Sequence, residues 1–340
     1  MAQQKYSKIA TFAKKREMIT IHQINKAKER ISGFTNRTPL LRVEQLDDIL
    51  RCKVWLKPEN LQKTGSFKLR GALNKLLSLT EEERKRGVVC ASSGNHGQAV
   101  TYAAKLLGIH AKVVMPVNAN PVKIEGVNRY GGEIVLHGTV SSEREAKMRE
   151  IMNQEERVSV HPFEDEFVKA GQGTATLEIL EDFPDMNFIV TPIGGGGLIS
   201  GMSVAAKAKS EHIKVVGVEP TGAPRYGESR RVGAPVSLDK VDTIADGTKT
   251  DKANPHNFPI IEKYVDYLVA VTDDQIIEAM KLLLLQTKLF VEPSGALGVA
   301  AAMSQKIPYS AKDNVCFLLS GGNSDLGLFA SIIKRSKSLV

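Results

Sequence analysis

The sequence predicts an α/β protein of two domains, each built on a mostly parallel open sheet flanked by helices, and three observations predict it. From residue 87, short Val/Ile-rich runs alternate with helical patterns of 10–16 residues, the signature of parallel βαβ units. After Gly171 the alternation resumes on a second scale. Loops rich in glycine and serine sit where strands lead into helices, which is where open α/β sheets bind ligands.

Residues 1–19 read as an N-terminal extension and "IHQINKAKERIS" (21–32) as an amphipathic helix. In "LQKTGSFKLRGALNK" (61–75), Gly65 and Ser66 mark a turn, and Lys68 falls on the first turn of an apolar-striped helix. The strand "GVVCASS" leads to the helix "GQAVTYAAKLLG", closed by Gly108. Strand "HAKVVMPV", helix "PVKIEGVNRYGG", strand "EIVLHG", helix "SSEREAKMREIMNQEE" and strand "RVSVHP" follow. The second series runs helix "TATLEILEDF", strand "NFIVTPIGGGG", helix "LISGMSVAAKAKS" and strand "KVVGVEP". Residues 220–265, rich in Pro, Gly and Asp, predict an irregular stretch. "YLVAVTDDQIIEAMKLLLLQTKLFV" and "NVCFLLSGG" then supply strand, helix and strand.

Composition narrows the function classes. With 340 residues, 42% apolar and 25% charged, the chain can bury a sizeable core and does not read as disordered or fibrous. No apolar run approaches the roughly 18 residues of a membrane span, and residues 1–18 lack the apolar core of a signal peptide. A cytoplasmic protein with no membrane partner is expected. Cys52, Cys90 and Cys316 are too widely spaced for a disulfide framework or a zinc site. The net charge of +8 gathers at the ends. Residues 1–18 hold five Lys/Arg against one acid, and with Lys334, Arg335 and Lys337 they leave +1 for everything between. No basic face interleaved with aromatics lies in the middle, so nucleic acid is not an expected partner.

Four loops carry chemistry. "TPIGGGGLISG" (191–201) passes from strand to helix through Gly194, Gly195, Gly196 and Gly197, whose N–H groups and helix N-terminus suit a phosphate. It is neither G-x-x-x-x-G-K-[ST] nor an ordered G-x-G-x-x-G, so a nucleoside triphosphate or dinucleotide is not indicated. "ASSGNHGQA" (91–99) brings two hydroxyls, an amide and an imidazole to a helix start and suits a carboxylate. "LLSGGNSD" (318–325) ends an apolar strand with Ser320, and "VEPSGALG" (291–298) sets Glu292 and Ser294 ahead of a helix. A lone lysine at position 68 would read as a solvated charge. Beside a phosphate cradle and a carboxylate cradle, it calls for a ligand bearing a phosphate and an aldehyde. Pyridoxal 5′-phosphate, which forms a Schiff base with a lysine amine, fits that description, with Phe67 beside Lys68 to pack on its ring.

"KTGSFKLRGA", "SSGNHGQA", "AGQGT", "GGGGLISG", "TIADG" and "LSGGN", in this order, resemble the fold-type II pyridoxal-phosphate enzymes of the serine/threonine dehydratase and serine racemase group, with a tryptophan-synthase-β-like fold. The resemblance spans about residues 20 to 330. It implies a large cofactor domain of residues 20–83 plus 163–340, a small movable domain of 84–162, and a homodimer or homotetramer. By motif, Lys68 resembles the Schiff-base lysine and Phe67 the residue packed on the cofactor. Gly194–Gly197 with Leu198 resemble the phosphate loop, Asn95 the partner of the cofactor's 3′ oxygen, and Ser320 the partner of its pyridine nitrogen. Ser92, Ser93, Asn95 and His96 would take the substrate carboxylate. The implied activity is dehydration and deamination of L-threonine or L-serine to a 2-oxo acid and ammonia.

The sequence departs from this pattern at one point. Racemases of the group hold a divalent cation after the "EP" pair. Here Glu219 and Ala223 could serve, but Arg225 stands where a second carboxylate belongs, which argues against a metal. Ser93 resembles the racemase's opposite-face acid, so serine racemase stays an alternative, as does a dehydratase for 3-hydroxyaspartate. A pyridoxal-phosphate-binding protein without turnover is the non-enzyme alternative, and Lys68, Asn95 and Ser320 weigh against it. The chain ends soon after "SGGNSDLGLFASIIKR", so the regulatory domain of biosynthetic threonine deaminases is not expected.

Overall fold

The computed structural model describes residues 18–92, 94–119 and 121–334. Ser93, nearly all of the N-terminal extension, and Arg335 and Lys337 lie outside the described residues. In chain order the strands are β1 (Leu41–Arg42), β2 (Lys53–Pro58), β3 (Val88–Ala91), β4 (Ala111–Met115), β5 (Glu133–Leu136), β6 (Val158–Ser159), β7 (Phe188–Pro192), β8 (Lys214–Pro220), β9 (Tyr267–Val271) and β10 (Asn314–Leu319).

They form two sheets. The larger runs β1-β2-β10-β7-β8-β9 and is parallel except for the β1–β2 pair, while the smaller runs β5-β4-β3-β6 and is wholly parallel. The fold is therefore the α/β class the alternation predicts. Central strands such as β7 are buried along their length, which is why they read as unbroken apolar runs rather than as an alternation.

Helix ends follow the local chemistry. Thr20 caps Ile21–Ile31 in a reciprocal box with Gln23. Gly108 ends Asn95–Leu107 in the left-handed conformation. The helix expected to begin at Thr174 begins at Glu166 instead. The Asp165 side chain accepts from the N–H groups of Phe167 and Val168 and starts it there. The glycines that suggested a break serve close packing: a Cβ on Gly171 would lie 2.6 Å from the Arg70 carbonyl oxygen, and one on Gly173 would lie 2.7 Å from that of Gly201. The stretch expected to be irregular contains two short helices, Arg225–Val232 and Phe258–Tyr264.

The helix Lys68–Leu77 joins the two layers. Its Leu69, Leu73 and Leu76 share a buried cluster with Val88, Cys90, Val100 and Val113 of the small-sheet layer. The turn before it is tied to the end of β10 in the large sheet, through a Ser66–Gly321 bridge and the Phe67 N–H donating to the Ser320 carbonyl oxygen at 3.0 Å. Arg70, fully buried, forks onto Glu59 at 2.8 Å and onto Glu178 at 2.6 and 2.8 Å. A buried pair of this kind adds little net stability but fixes one arrangement of its elements. Lys68 thus starts a helix anchored from both sides. Among the described residues no helix is long and apolar enough to cross a membrane.

Candidate active site

The turn before Lys68 fixes where its side chain goes. Gly65 takes φ +70°, and a Cβ there would collide with Asn323 Oδ1 at 2.4 Å. The turn is therefore pressed against the "LSGGN" loop, with Asn323 Nδ2 donating to the Thr64 carbonyl oxygen at 2.8 Å and Gly322 N–H to that of Gly65 at 2.9 Å. Lys68 Nζ donates to the Pro162 carbonyl oxygen at 3.1 Å and lies 5.1 Å from the centre of the Phe67 ring. Burial strips water from the amine and brings it down to about 8, a change that Glu292 nearby only partly opposes. Lys63 differs. It is exposed and donates to the Phe34 carbonyl oxygen.

Asn95 opens its helix and is hydrogen-bonded to two of the other loops. Its Nδ2 donates to Glu292 Oε1 at 2.8 Å, and its Oδ1 accepts from Asn323 Nδ2 at 2.9 Å. The "SSGNHG", "VEPSG" and "LSGGN" loops are thereby joined through side chains. Glu292 is the residue the sequence reading left without a role. Burial pushes its carboxyl up to about 7, despite the Asn95 hydrogen bond. The signal in the sequence was a glutamate just ahead of a proline-started helix, which the structure confirms as Pro293–Met303. Ser320 is buried at the end of β10.

In the carboxylate loop, Ser92 Oγ accepts from the N–H groups of Gly94 at 3.2 Å and Gly97 at 2.9 Å. The His96 side chain turns inward. It is buried, its Nε2 is 2.7 Å from the Val160 carbonyl oxygen, and burial drives it down to about 3. A neutral ring donating through Nε2 leaves Nδ1 a bare acceptor, and Nδ1 has no partner among the described residues. The imidazole cannot donate to a carboxylate. The N–H groups of Asn95 and His96 in the first helical turn are what this segment offers an anion.

The glycine loop is shaped for an anion. Gly196 takes φ +87°, and a Cβ on Gly195 would lie 2.2 Å from the Phe163 ring. Only glycine fits either position. The carbonyl oxygens of Ile193, Gly194 and Gly195 are all held from one side, by Arg225, Tyr226 Oη and Asn257 Nδ2. Leu198 is buried in the core behind the loop. The loop's shape and donors fit a phosphate ester, so the residues present fit pyridoxal phosphate. Phe163, Asn257 and Pro162 were not found from sequence, because they act through ring placement, a side-chain amide from a distant segment that holds loop backbone, and a backbone carbonyl.

At the position considered for a cation, the Arg225 guanidinium itself stands between the groups named. Its Nη1 is 2.7 Å from the Ala223 carbonyl oxygen and 3.9 Å from Glu219 Oε1. The Glu219 carboxylate accepts from the N–H groups of Tyr226 and Gly227. Among the described residues, no group of three or more His, Cys, Asp or Glu is placed to hold a metal ion. The three cysteines are buried, and burial raises each thiol to about 12, so none is a nucleophile at neutral pH.

Comparison with known proteins agrees with this geometry. The family described as "Pyridoxal-phosphate dependent enzyme" matches residues 31–321. An L-threonine ammonia-lyase of Thermotoga maritima is 43% identical over 318 residues, covering 94% of this chain and 79% of the relative. A serine racemase of Oryza sativa subsp. indica is 40% identical over 320 residues, covering 93% and 94%. The structure of maize serine racemase superposes with a TM-score of 0.89 at 38% identity, covering 94% of this chain and 98% of that one.

Proposed function

The chain belongs to the family of pyridoxal-phosphate-dependent enzymes, and from that premise we propose that it dehydrates and deaminates L-threonine or L-serine. L-threonine would yield 2-oxobutanoate and ammonia, and L-serine pyruvate and ammonia. The observation that carries the reading is the Lys68 amine. Burial brings it to about 8, its Nζ donates to the Pro162 carbonyl oxygen next to Phe163, which packs on the glycine loop, and its charge acts on Glu292, the partner of Asn95.

When bound, pyridoxal phosphate supplies an aldehyde for the substrate amine and a sink for the electrons left at Cα. The chain's residues do the rest. Gly194–Gly197 would hold the cofactor's phosphate through backbone N–H groups, Asn95 and Phe67 would orient its ring, and Ser320 would offer its nitrogen a neutral hydroxyl. A hydroxyl there would support a positive charge less than a carboxylate would, which suits elimination better than transamination. The first turn of the Asn95–Leu107 helix, with Ser92, binds the substrate carboxylate and sets the Cα–H bond toward Lys68. Lys68 Nζ, part-neutral near pH 8, takes that proton as general base. The β-hydroxyl leaves with a proton as water, and the released enamine hydrolyses to the 2-oxo acid and ammonia.

The likeness to the rice and maize enzymes supports a second reading, serine racemase. There Ser93 would return a proton to the opposite face of Cα. Both readings call for a visible absorbance band in the purified protein. Under the dehydratase reading, adding L-threonine or L-serine bleaches the band as 2-oxo acid appears. A band that persists unchanged, with no product, would leave a cofactor-binding protein without turnover.

A further inference from the structure

Arg225 is a charged group at the glycine loop that the reaction leaves without a task. It is fully buried at the start of the Arg225–Val232 helix, and its fork is spent on backbone oxygens. Nη2 donates to the carbonyl oxygens of Ile193 and Gly194, each at 2.8 Å. Nε donates to Gly194 at 3.2 Å and Nη1 to Ala223 at 2.7 Å. Next to it, Tyr226 Oη at 2.9 Å and Asn257 Nδ2 at 2.8 Å take the Gly195 carbonyl oxygen.

Peptide geometry turns this into a statement about the opposite face of the loop. In a planar trans peptide, the carbonyl of one residue and the N–H of the next point in opposite directions. Three successive carbonyls drawn back toward Arg225, Tyr226 and Asn257 therefore turn the N–H groups of Gly194, Gly195 and Gly196 outward. None of these three N–H groups has a hydrogen-bond partner among the described residues. A flexible run of four glycines would otherwise lose this arrangement readily, since glycine has the most backbone freedom to lose. The guanidinium also places a positive charge behind the donors, with Glu219 at 3.9 Å as a partner.

We propose that Arg225 is a positioning residue for cofactor binding: from behind the loop it orders the Gly194–Gly196 N–H groups and sets the protein's affinity for the cofactor's phosphate. The proposal rests on the cofactor assignment and not on which amino acid is consumed. A planar fork can hold two adjacent carbonyls at once, whereas a lysine ammonium keeps the charge without that geometry.

The test is a pair of titrations of the full chain, stripped of cofactor, with pyridoxal phosphate and with pyridoxal, which lacks the phosphate. Arg225→Lys and Arg225→Ala are compared with the unaltered protein. The loss of a charge-assisted hydrogen-bond set predicts pyridoxal phosphate binding roughly 10- to 100-fold weaker in Arg225→Ala. Arg225→Lys falls between the two, pyridoxal affinity is unchanged, and added guanidinium partly restores the Ala variant. Equal losses for both ligands, or no loss for either, overturn the proposal. Should Arg225→Ala fail to fold, Arg225→Lys carries the same comparison. The binding readout needs no turnover. A chain that forms no 2-oxo acid yet shows the phosphate-selective loss refutes the dehydratase reading alone.

Discussion

Burial shifts Lys68 and Glu292 toward each other from opposite ends of the pH scale, and each shift has a measurable consequence. Lys68 gives up its proton at about 8, so the fraction able to act as base grows as pH rises through that value. The maximal rate should climb between about pH 7 and 9, and a flat profile there would contradict the assignment. Borohydride reduction of the cofactor-loaded protein followed by peptide mapping should label Lys68, and label on Lys63 would sink it. Glu292 holds its proton up to about 7, against an ordinary 4.5. Between those values the folded chain binds a proton that the unfolded chain has released. This contribution to stability is thus full at acid pH and lost as pH rises through about 7. Glu292→Gln keeps the Asn95 contact with a neutral group, so the melting temperature of the cofactor-free chain should fall less across that window. An identical slope in both proteins would count against the buried carboxyl.

At the scale of elements, strands and loops were legible in the sequence, and helix extent was less so. Buried parallel strands such as β7 and β10 are continuous apolar runs, and the loops that follow them carry the polar and glycine residues. A reading from local pattern finds both. The Glu166–Asp182 helix was placed eight residues late because Gly171 and Gly173 look like a break until the neighbouring backbone is seen. Gly171→Ala should destabilise the protein by about 1–3 kcal/mol, since the added methyl has only rigid backbone to meet. A change near zero in a denaturant titration would show that the helices can move apart. The end of β10 supports a second test. Ser320→Ala removes the hydroxyl and leaves the glycine loop and Lys68 in place, so turnover should fall by an order of magnitude or more while most cofactor stays bound. An unchanged rate would remove Ser320 from the mechanism. The places of the motif side chains, Lys68 and Asn95 at helix starts and Ser320 at a strand end, could be read ahead of the structure. The Pro162 oxygen, the Phe163 ring and the inward turn of His96 could not, because packing decides them.

For the molecule as a whole, the site lies where the two layers meet. There the apolar cluster around Leu69 and Leu73 is joined by polar contacts between the layers, Lys123 Nζ to Asp246 Oδ2 at 2.8 Å and Asn95 Nδ2 to Glu292 Oε1 at 2.8 Å. Which reaction follows is the central question. Arg225 already stands among the Glu219 and Ala223 oxygens, so a divalent cation would meet a positive charge in place of a ligand. The most direct measurement strips metals from the cofactor-loaded protein with chelator, supplies L-serine and L-threonine, and scores 2-oxo acid and D-amino acid before and after Mg²⁺ is restored. The account predicts 2-oxo acid in excess and a rate that Mg²⁺ changes little. D-serine outrunning pyruvate, or a large activation by Mg²⁺, would contradict it and favour the racemase.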